Sequence, residues 1–300
     1  MNIQKEIEKL RKKKNAIILA HNYQLPEIQD IADFVGDSLN LSIKAKDTKA
    51  QIIIFCGVYF MAETAKILSP QKKVLIPVKE AGCSLADNIT VQQINKLKKK
   101  YPNAKVLCYV NTTAKIKAKS NVVCTSANAV EVTEKVLKDE EVIFVPDKYL
   151  GLYTMRKTNK KFILHSGYCP VHVSIRKEDV KRQKRLHPKA RVLAHPECLP
   201  EVIDLADKVL STEGMCRYAK ETKSQEMIIA TEIGILHRLR KENPKKKFYP
   251  ASKTAVCPFM KVIRLKDVLD SLKYERYPVE VPLSVRLGAY RAIQEMLKVS

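Results

Sequence analysis

Ala16-Ile17-Ile18-Leu19-Ala20-His21-Asn22 is a short apolar run that stops abruptly at polar side chains. The same design returns as Lys105-Val106-Leu107-Cys108-Tyr109-Val110-Asn111 and as Arg191-Val192-Leu193-Ala194-His195-Pro196-Glu197. The lead polar residues His21, Tyr109 and His195 stand 88 and 86 positions apart. A second strand-like end follows each lead, at Asp37-Ser38, Thr125-Ser126 and Ser211-Thr212, with Ser38, Ser126 and Ser211 trailing by 17, 17 and 16 positions. A cysteine then closes each unit: Cys83, Cys169 and Cys257 trail the leads by 62, 60 and 62 positions. Landmarks that keep step in this way mark a threefold internal repeat.

Between the landmarks, strand-length apolar runs alternate with helical patterns. Strands are expected near 16–21, 33–37, 51–57 and 73–78 in the first unit, and near 105–110, 121–125, 141–146 and 161–165 in the second. In the third they are expected near 191–194, 207–211, 226–231 and 246–250. Helical patterns begin at Pro26 and Leu39 and run from Tyr59 to Leu68. This alternation predicts an α/β fold of three homologous three-layer α/β/α domains with small parallel sheets. The first comprises residues 1–83 with a C-terminal extension, 262–300; the second is 84–169 and the third 170–261. The extension carries two helical patterns flanking Tyr277–Pro282 and is expected to pack back on the first unit. In open parallel sheets ligands bind beyond the carboxyl ends of the strands, where all the landmarks lie. A pseudo-threefold arrangement would bring the three cysteines to one cavity.

Composition narrows the setting. Hydrophobic residues make up 45% of 300 positions, enough for one large core or a few smaller ones. Met1–Lys14 is charged throughout and reads as an amphipathic surface helix without the apolar centre of a signal peptide. Runs such as Ala16–Ala20 and Ile52–Cys56 fall far short of a membrane span, so a cytoplasmic protein is expected. Eight cysteines in that setting should be reduced thiols. They are too dispersed for a CxxC ribbon or finger, so any metal site must be assembled from distant segments. The net charge of +23 invites a nucleic-acid reading, but the lysines are spread along the chain, Trp is absent and aromatics are only 6%. A lysine-rich solvated surface fits better, with Lys98–Lys100 and Lys245–Lys247 at the ends of helical patterns.

Cys83, Cys169 and Cys257 sit in Glu80-Ala-Gly-Cys-Ser84, Ser166-Gly-Tyr-Cys-Pro170 and Thr254-Ala-Val-Cys-Pro258, contexts suited to irregular loops. Three thiolates suit an iron–sulfur cluster with one iron left open; zinc with a water and three buried free thiols are the alternatives. Cys56, Cys108 and Cys124 lie inside strands and read as core, while Cys198 and Cys216 break the repeat. His21, Tyr23, Tyr109, Asn111, His195 and Glu197 at the first strand ends offer donors, acceptors and proton carriers, or serve as surface and capping groups. His172 follows Cys169 closely enough to line the same cavity. Ser38, Ser126, Ser211 and Thr212 precede helical patterns, so they read as N-caps whose helix ends could also hold anions.

At these residues the chain resembles the quinolinate synthase (quinolinate synthetase A) family along nearly its full length. The segments that carry the likeness are Leu19-Ala-His21-Asn-Tyr23-Gln24, Asp30-Ile-Ala-Asp-Phe-Val-Gly-Asp-Ser38, Phe60-Met-Ala-Glu63, Tyr109-Val-Asn111 and Thr125-Ser-Ala-Asn-Ala129. Cys169-Pro-Val-His172, His195-Pro-Glu-Cys198 and Thr231-Glu-Ile-Gly234 complete the set. The resemblance implies three α/β/α domains about a pseudo-threefold axis and a [4Fe–4S] cluster on Cys83, Cys169 and Cys257. It implies a transferase of NAD biosynthesis that condenses iminoaspartate with dihydroxyacetone phosphate, losing phosphate and two waters. By motif, Tyr23 and Glu197 form the principal acid–base pair, assisted by His21, His172 and His195. Tyr109, Asn111, Ser38, Ser126, Ser211 and Thr212 would bind carboxylates and phosphate, together with His21, His195 and Glu197. An L-aspartate oxidase or aspartate dehydrogenase would supply the iminoaspartate; neither nucleic acid nor membrane is implied as a partner. Two departures stand out: Tyr59 replaces an Asp of the family's Gly-Val-Asp-Phe-Met-Ala-Glu, and Glu213 stands where a small residue is usual.

Two other classes share features with this reading. A different open-cluster hydro-lyase would use the three cysteines without needing several anion sites. A nucleic-acid-binding protein with a structural cluster would show a steep salt dependence of affinity and no dependence on Tyr23.

Overall fold

A computed structural model describes residues 2–138 and 140–299; Met1, Asp139 and Ser300, the first and last of which fall in the expected terminal segments, lie outside the described residues. The expected alternation is present. The first unit contributes β1 (Ala16–His21), β2 (Phe34–Gly36), β3 (Ile52–Cys56) and β4 (Lys73–Leu75). The second contributes β5 (Lys105–Tyr109), β6 (Val122–Cys124), β7 (Val142–Val145) and β8 (Phe162–Leu164). The third contributes β9 (Arg191–Ala194), β10 (Lys208–Val209), β11 (Glu226–Ala230) and β12 (Lys247–Pro250).

Each set forms its own parallel sheet, in the orders β2-β1-β3-β4, β6-β5-β7-β8 and β10-β9-β11-β12. Helices flank each sheet, and the strands are buried as continuous apolar runs, as parallel strands covered on both faces require. The first strand of every unit is internal, with the chain leaving it to one side and returning on the other. That divergence opens a crevice at the strand's carboxyl end.

The repeat extends to side-chain contacts. Asp33, Asn121 and Asp207, each just before the second strand, accept from the first-strand amides of Ile18, Val106 and Val192 at 2.8, 2.9 and 2.8 Å. Each lies twelve positions after its lead residue. Lys72, Lys160 and Lys246, each fifty-one positions after the lead, donate to carbonyls at the end of a helix in their own unit. These lysines satisfy acceptors that a helix terminus leaves open, so they belong to the architecture as well as to the charge.

The chain end differs from expectation. Helix Leu265–Tyr274 packs on helix Ile3–Lys13 and β3, and Pro278 bridges antiparallel to Leu75, all in the first unit. Helix Leu283–Leu297 packs on helix Tyr59–Leu68 of the first unit but lies mainly against β6 and the short helix Ala114–Lys117 of the second. That four-residue helix is too short to cover its sheet face, and Ala289, Ala292, Ile293 and Met296 complete the cover. Lys245 and Lys246 also fall past the end of helix Ile235–Glu242, in the turn before β12, and Lys247 begins that strand.

Among the described residues no helix is long and apolar enough to cross a membrane. The lysine contacts are testable. Lys246→Met is expected to leave the Ala219 and Thr222 carbonyls unpaired and to cost about 1–2 kcal/mol. Lys245→Met, one residue away and exposed, should stay within about 0.5 kcal/mol. Thermal unfolding of the two variants side by side separates these outcomes.

Candidate functional site

The carboxyl ends of the three sheets converge on one cavity of about 160 Å³. Its lining includes Cys83, Cys169 and Cys257, together with His21, Tyr23, Ser38, Tyr109, Asn111, Ser126, His172, His195, Glu197 and Thr212. Of the residues expected in the site, only Ser211 is absent from this lining; it caps helix Thr212–Glu221 from behind the wall.

The cysteine loops are held in a repeated way. The amides of Tyr59, Lys148 and Ile233 donate to the carbonyls of Ala81, Gly167 and Ala255, each two residues before a cysteine, at 2.7, 2.7 and 3.0 Å. In two units a buried carboxylate also grips the cysteine backbone. Asp147 accepts from the amides of Cys169 (3.2 Å) and Leu150 (2.7 Å). Glu232 accepts from Cys257 (3.1 Å) and Gly234 (2.7 Å) and pairs with Lys261 at 2.9 Å. Gly234 is required here, because a Cβ would come within 2.7 Å of the Tyr23 carbonyl and of Lys261 Nζ. In the first unit Val58 takes the equivalent place, with no carboxylate.

Do these residues fit an iron–sulfur cluster? Burial pushes the thiols up, Cys83 to about 12, and Cys83 and Cys257 and likewise Cys169 and Cys83 oppose one another's ionisation. Backbone amides two or three residues on favour each thiolate: Leu85 and Ala86, His172, and Phe259 and Met260. Three cysteines lining one cavity, each with backbone amides that favour its thiolate, fit such a group. Cys56, Cys108 and Cys124 are buried in strands, as expected, and Cys198 and Cys216 are buried as well.

Beside the cysteines runs a chain of proton-carrying groups. Tyr23 Oη lies 2.5 Å from Thr231 Oγ1, which lies 2.8 Å from His172 Nε2. His172 Nδ1 stands 2.6 Å from Glu197 Oε2, but out of line for a hydrogen bond, and Glu197 Oε1 is buried without a partner. His195 stacks on His172 with ring centroids 4.5 Å apart, its Nδ1 3.6 Å from the same carboxylate. Burial would raise Glu197, but the neighbouring imidazoles of His172, then His195, hold it well below the usual carboxylate range. His21 and His195 are pushed to about 3, chiefly by burial, so both are neutral near pH 7. His21 Nδ1 accepts from the Tyr23 amide at 3.1 Å, which leaves its proton on Nε2. Burial drives the Tyr23 and Tyr109 phenols upward, so both remain protonated. Cys169, a His172 nitrogen and a Glu197 oxygen also lie within 4.8 Å of one another, close enough to share a metal ion.

The cavity lining also carries hydroxyl and amide groups. Ser38 and Ser126 are not N-caps as expected. Asp37 caps helix Ser38–Asp47 through the Asn40 amide at 3.0 Å, leaving Ser38 in the first turn and facing the cavity. Ser126 sits in a turn held by Thr125 and Asn128 before helix Ala129–Lys135. Asn111 Oδ1 is buried without a partner, an acceptor left for a ligand's donor. Thr212 Oγ1 accepts from Asn22 Nδ2 at 2.9 Å, and Ser211 donates to Asp37 at 3.1 Å, tying the first unit to the third. Phe60 forms part of the wall, backed by the ammonium of fully buried Lys117 at 5.2 Å from its ring centroid.

Thr231, Asp147, Glu232 and Asp37 were missed as site residues. Asp147 and Glu232 recur 38 and 37 positions after their leads, a signal at the third strand ends. Both sequence departures point away from the cavity. Tyr59 lines a separate surface hollow with Ile76 and Tyr277, and Glu213 forms a two-pronged pair with Arg238 at 2.6 and 3.1 Å.

Comparison with known proteins agrees with this geometry. The profile of the family described as quinolinate synthetase A protein matches residues 5–298. A quinolinate synthase of Thermodesulfovibrio yellowstonii is 51% identical over 293 residues, covering 97% of this chain and 96% of its own. One of Dehalococcoides mccartyi is 52% identical over 298 residues, covering 99% and 98%. A third, the quinolinate synthase 2 of Methanosarcina acetivorans, is 51% identical over 298 residues, covering 99% and 96%. With a full-length family match and relatives at this identity, the chain belongs to the quinolinate synthetase A family.

Proposed function

We propose that this chain condenses iminoaspartate with dihydroxyacetone phosphate to quinolinate, with loss of phosphate and two waters, in NAD biosynthesis. The observation that carries the proposal is the cavity that the three cysteines share with hydroxyl, amide and proton-carrying groups. Cys83, Cys169 and Cys257 would hold a [4Fe–4S] cluster, which when bound supplies an open iron as Lewis acid for a substrate oxygen or nitrogen.

The remaining work falls to the chain's own groups. Closing the pyridine ring forms one carbon–carbon and one carbon–nitrogen bond, takes protons from carbon and delivers protons to departing oxygens. Glu197, ionised with one free oxygen, is the base. Tyr23 is the acid; it is hydrogen-bonded to Thr231, which in turn meets His172, whose Nδ1 stands beside the Glu197 carboxylate. Neutral His21 and His195 donate or accept hydrogen bonds without adding charge. Ser38, Ser126, Asn111, Tyr109 and Thr212 hold carboxylates and phosphate, with Ser211 acting through Asp37. Small size and apolar walls such as Phe60 and Met61 exclude bulk water from reactive intermediates. The setting is cytoplasmic, with an iminoaspartate-forming oxidase or dehydrogenase of L-aspartate upstream.

Two experiments test this reading. Anaerobically prepared protein should contain about four iron and four sulfide per chain and form quinolinate, and Cys83→Ser should lose both. A single metal ion without sulfide would instead assign the metal to Cys169, His172 and Glu197, and absence of quinolinate would sink the proposed reaction. Thr231→Val removes the bridging hydroxyl at nearly constant volume. It is expected to lower kcat about 100-fold with iron content unchanged, while Thr231→Ser stays within about threefold.

A further inference from the structure

The seam between the second and third units carries a groove of about 280 Å³ that the reaction scheme does not use. One layer of chain separates it from the catalytic cavity. Ser126 lines both spaces. Beyond it neighbouring residues divide between them: Glu197 and Thr212 line the cavity, Pro196 and Ser211 the groove. Outward, past Tyr153, Lys157 and Val209, the groove continues into a wider depression of about 540 Å³. The groove thus runs from solvent to the Ser126 wall that it shares with the cavity.

Two cations stand on that path without a carboxylate. Lys157, on helix Lys148–Thr158, is exposed with its ammonium 5.9 Å from the Tyr153 ring centroid. Arg217, on helix Thr212–Glu221, is exposed on the facing wall. Nearby cations on the same helices are paired, Arg156 with Asp204 at 2.7 Å and Lys220 with Glu242 at 2.9 Å. Lys157 and Arg217 form no ion pair among the described residues. The seam is also lightly tied beside the groove, where the exposed Arg156–Asp204 pair crosses it. The first and third units, in contrast, are locked by buried contacts from Asn22 to Thr212 and from Gln29 to the Gly234 carbonyl.

We propose that this groove is a phosphate-recognising approach to the cavity, in which Lys157 and Arg217 take the phosphate monoester of the incoming ketone and deliver it to Ser126. The proposal rests on the reaction assigned above. A compact dianion is best held by two cations on one groove, and the lining offers a guanidinium fork and an ammonium. A dicarboxylate, its charges spread along a carbon chain, gains less from such a pair. Unpaired cations also raise the local concentration of an anion before it meets the cavity.

The test uses intact, cluster-loaded protein and inorganic phosphate as the probe, with binding followed by phosphorus-31 line broadening in the absence of turnover. Lys157→Gln combined with Arg217→Gln is expected to weaken phosphate binding at least tenfold, about three- to fivefold per exposed charge. The same variant should raise KM for dihydroxyacetone phosphate about tenfold, with KM for iminoaspartate and kcat within twofold. Lys220→Gln, an exposed cation off the groove, should change neither. Unchanged phosphate binding in the double variant, or an equal loss in Lys220→Gln, overturns the proposal. If the wild-type protein forms no quinolinate, the assigned reaction fails, and the binding measurement still decides the groove.

Discussion

Every feature of this molecule depends on the position of the first strand within its sheet. Because β1, β5 and β9 are internal, with the second strand on one side and the third on the other, their carboxyl ends open into crevices that no connection covers. A polar residue placed there costs the core nothing, since the apolar part of the strand is already buried. Three such sheets set with these ends together turn three shallow crevices into one shared cavity. The cavity is therefore a property of the repeat, and its chemistry of the few positions where the repeats differ.

Those differences are instructive. Asp147 and Glu232 grip the amides of Cys169 and Cys257, while Val58 leaves Cys83 held by its loop alone. His21 and His195 occupy equivalent strand ends, and Tyr109 the third. A symmetric site would present three equal faces to substrates that are not symmetric. The cysteines repeat in all three units, whereas the strand ends diverge, so the cavity wall differs from one unit to the next. The scaffolding, by contrast, stays alike: Asp33, Asn121 and Asp207, and Lys72, Lys160 and Lys246, repeat because every sheet presents the same open amide and the same open helix carbonyls.

Electrostatically the site is kept in order by burial and by fixed neighbours. Neutral His21 and His195 add no charge beside the cysteines, whereas Glu197 stays ionised because His172 stands against it. The positive charge of the chain as a whole is another matter. Most of it is solvated surface, a few lysines seal helix ends, and Lys117 is buried behind Phe60, where burial lowers its ammonium to about 8. Similar residues thus serve unrelated purposes, and only their surroundings separate them.

How much of this was legible beforehand follows from what each feature depends on. Strand and helix alternation, the threefold repeat, the parallel sheets and the three cysteines were readable because each is encoded by local apolar pattern or by spacing along the chain. The polar strand ends His21, Tyr109, His195 and Glu197 were readable because they stand next to those patterns. Ser211 is the N-cap expected, but the caps read at Ser38 and Ser126 fall one and two residues away, at Asp37 and Asn128, since only backbone geometry decides between adjacent candidates. The last helix reaches the second unit as well as the first, because an apolar face states that it will be buried and not what will bury it. Thr231, the grip of Asp147 and the groove of Lys157 and Arg217 depend on segments brought together across units. The sequence by itself determined the units and the groups available at their ends. The tertiary structure decided which of those groups meet, because distances across three independently folded sheets are set by packing between them and leave no periodic trace in the chain.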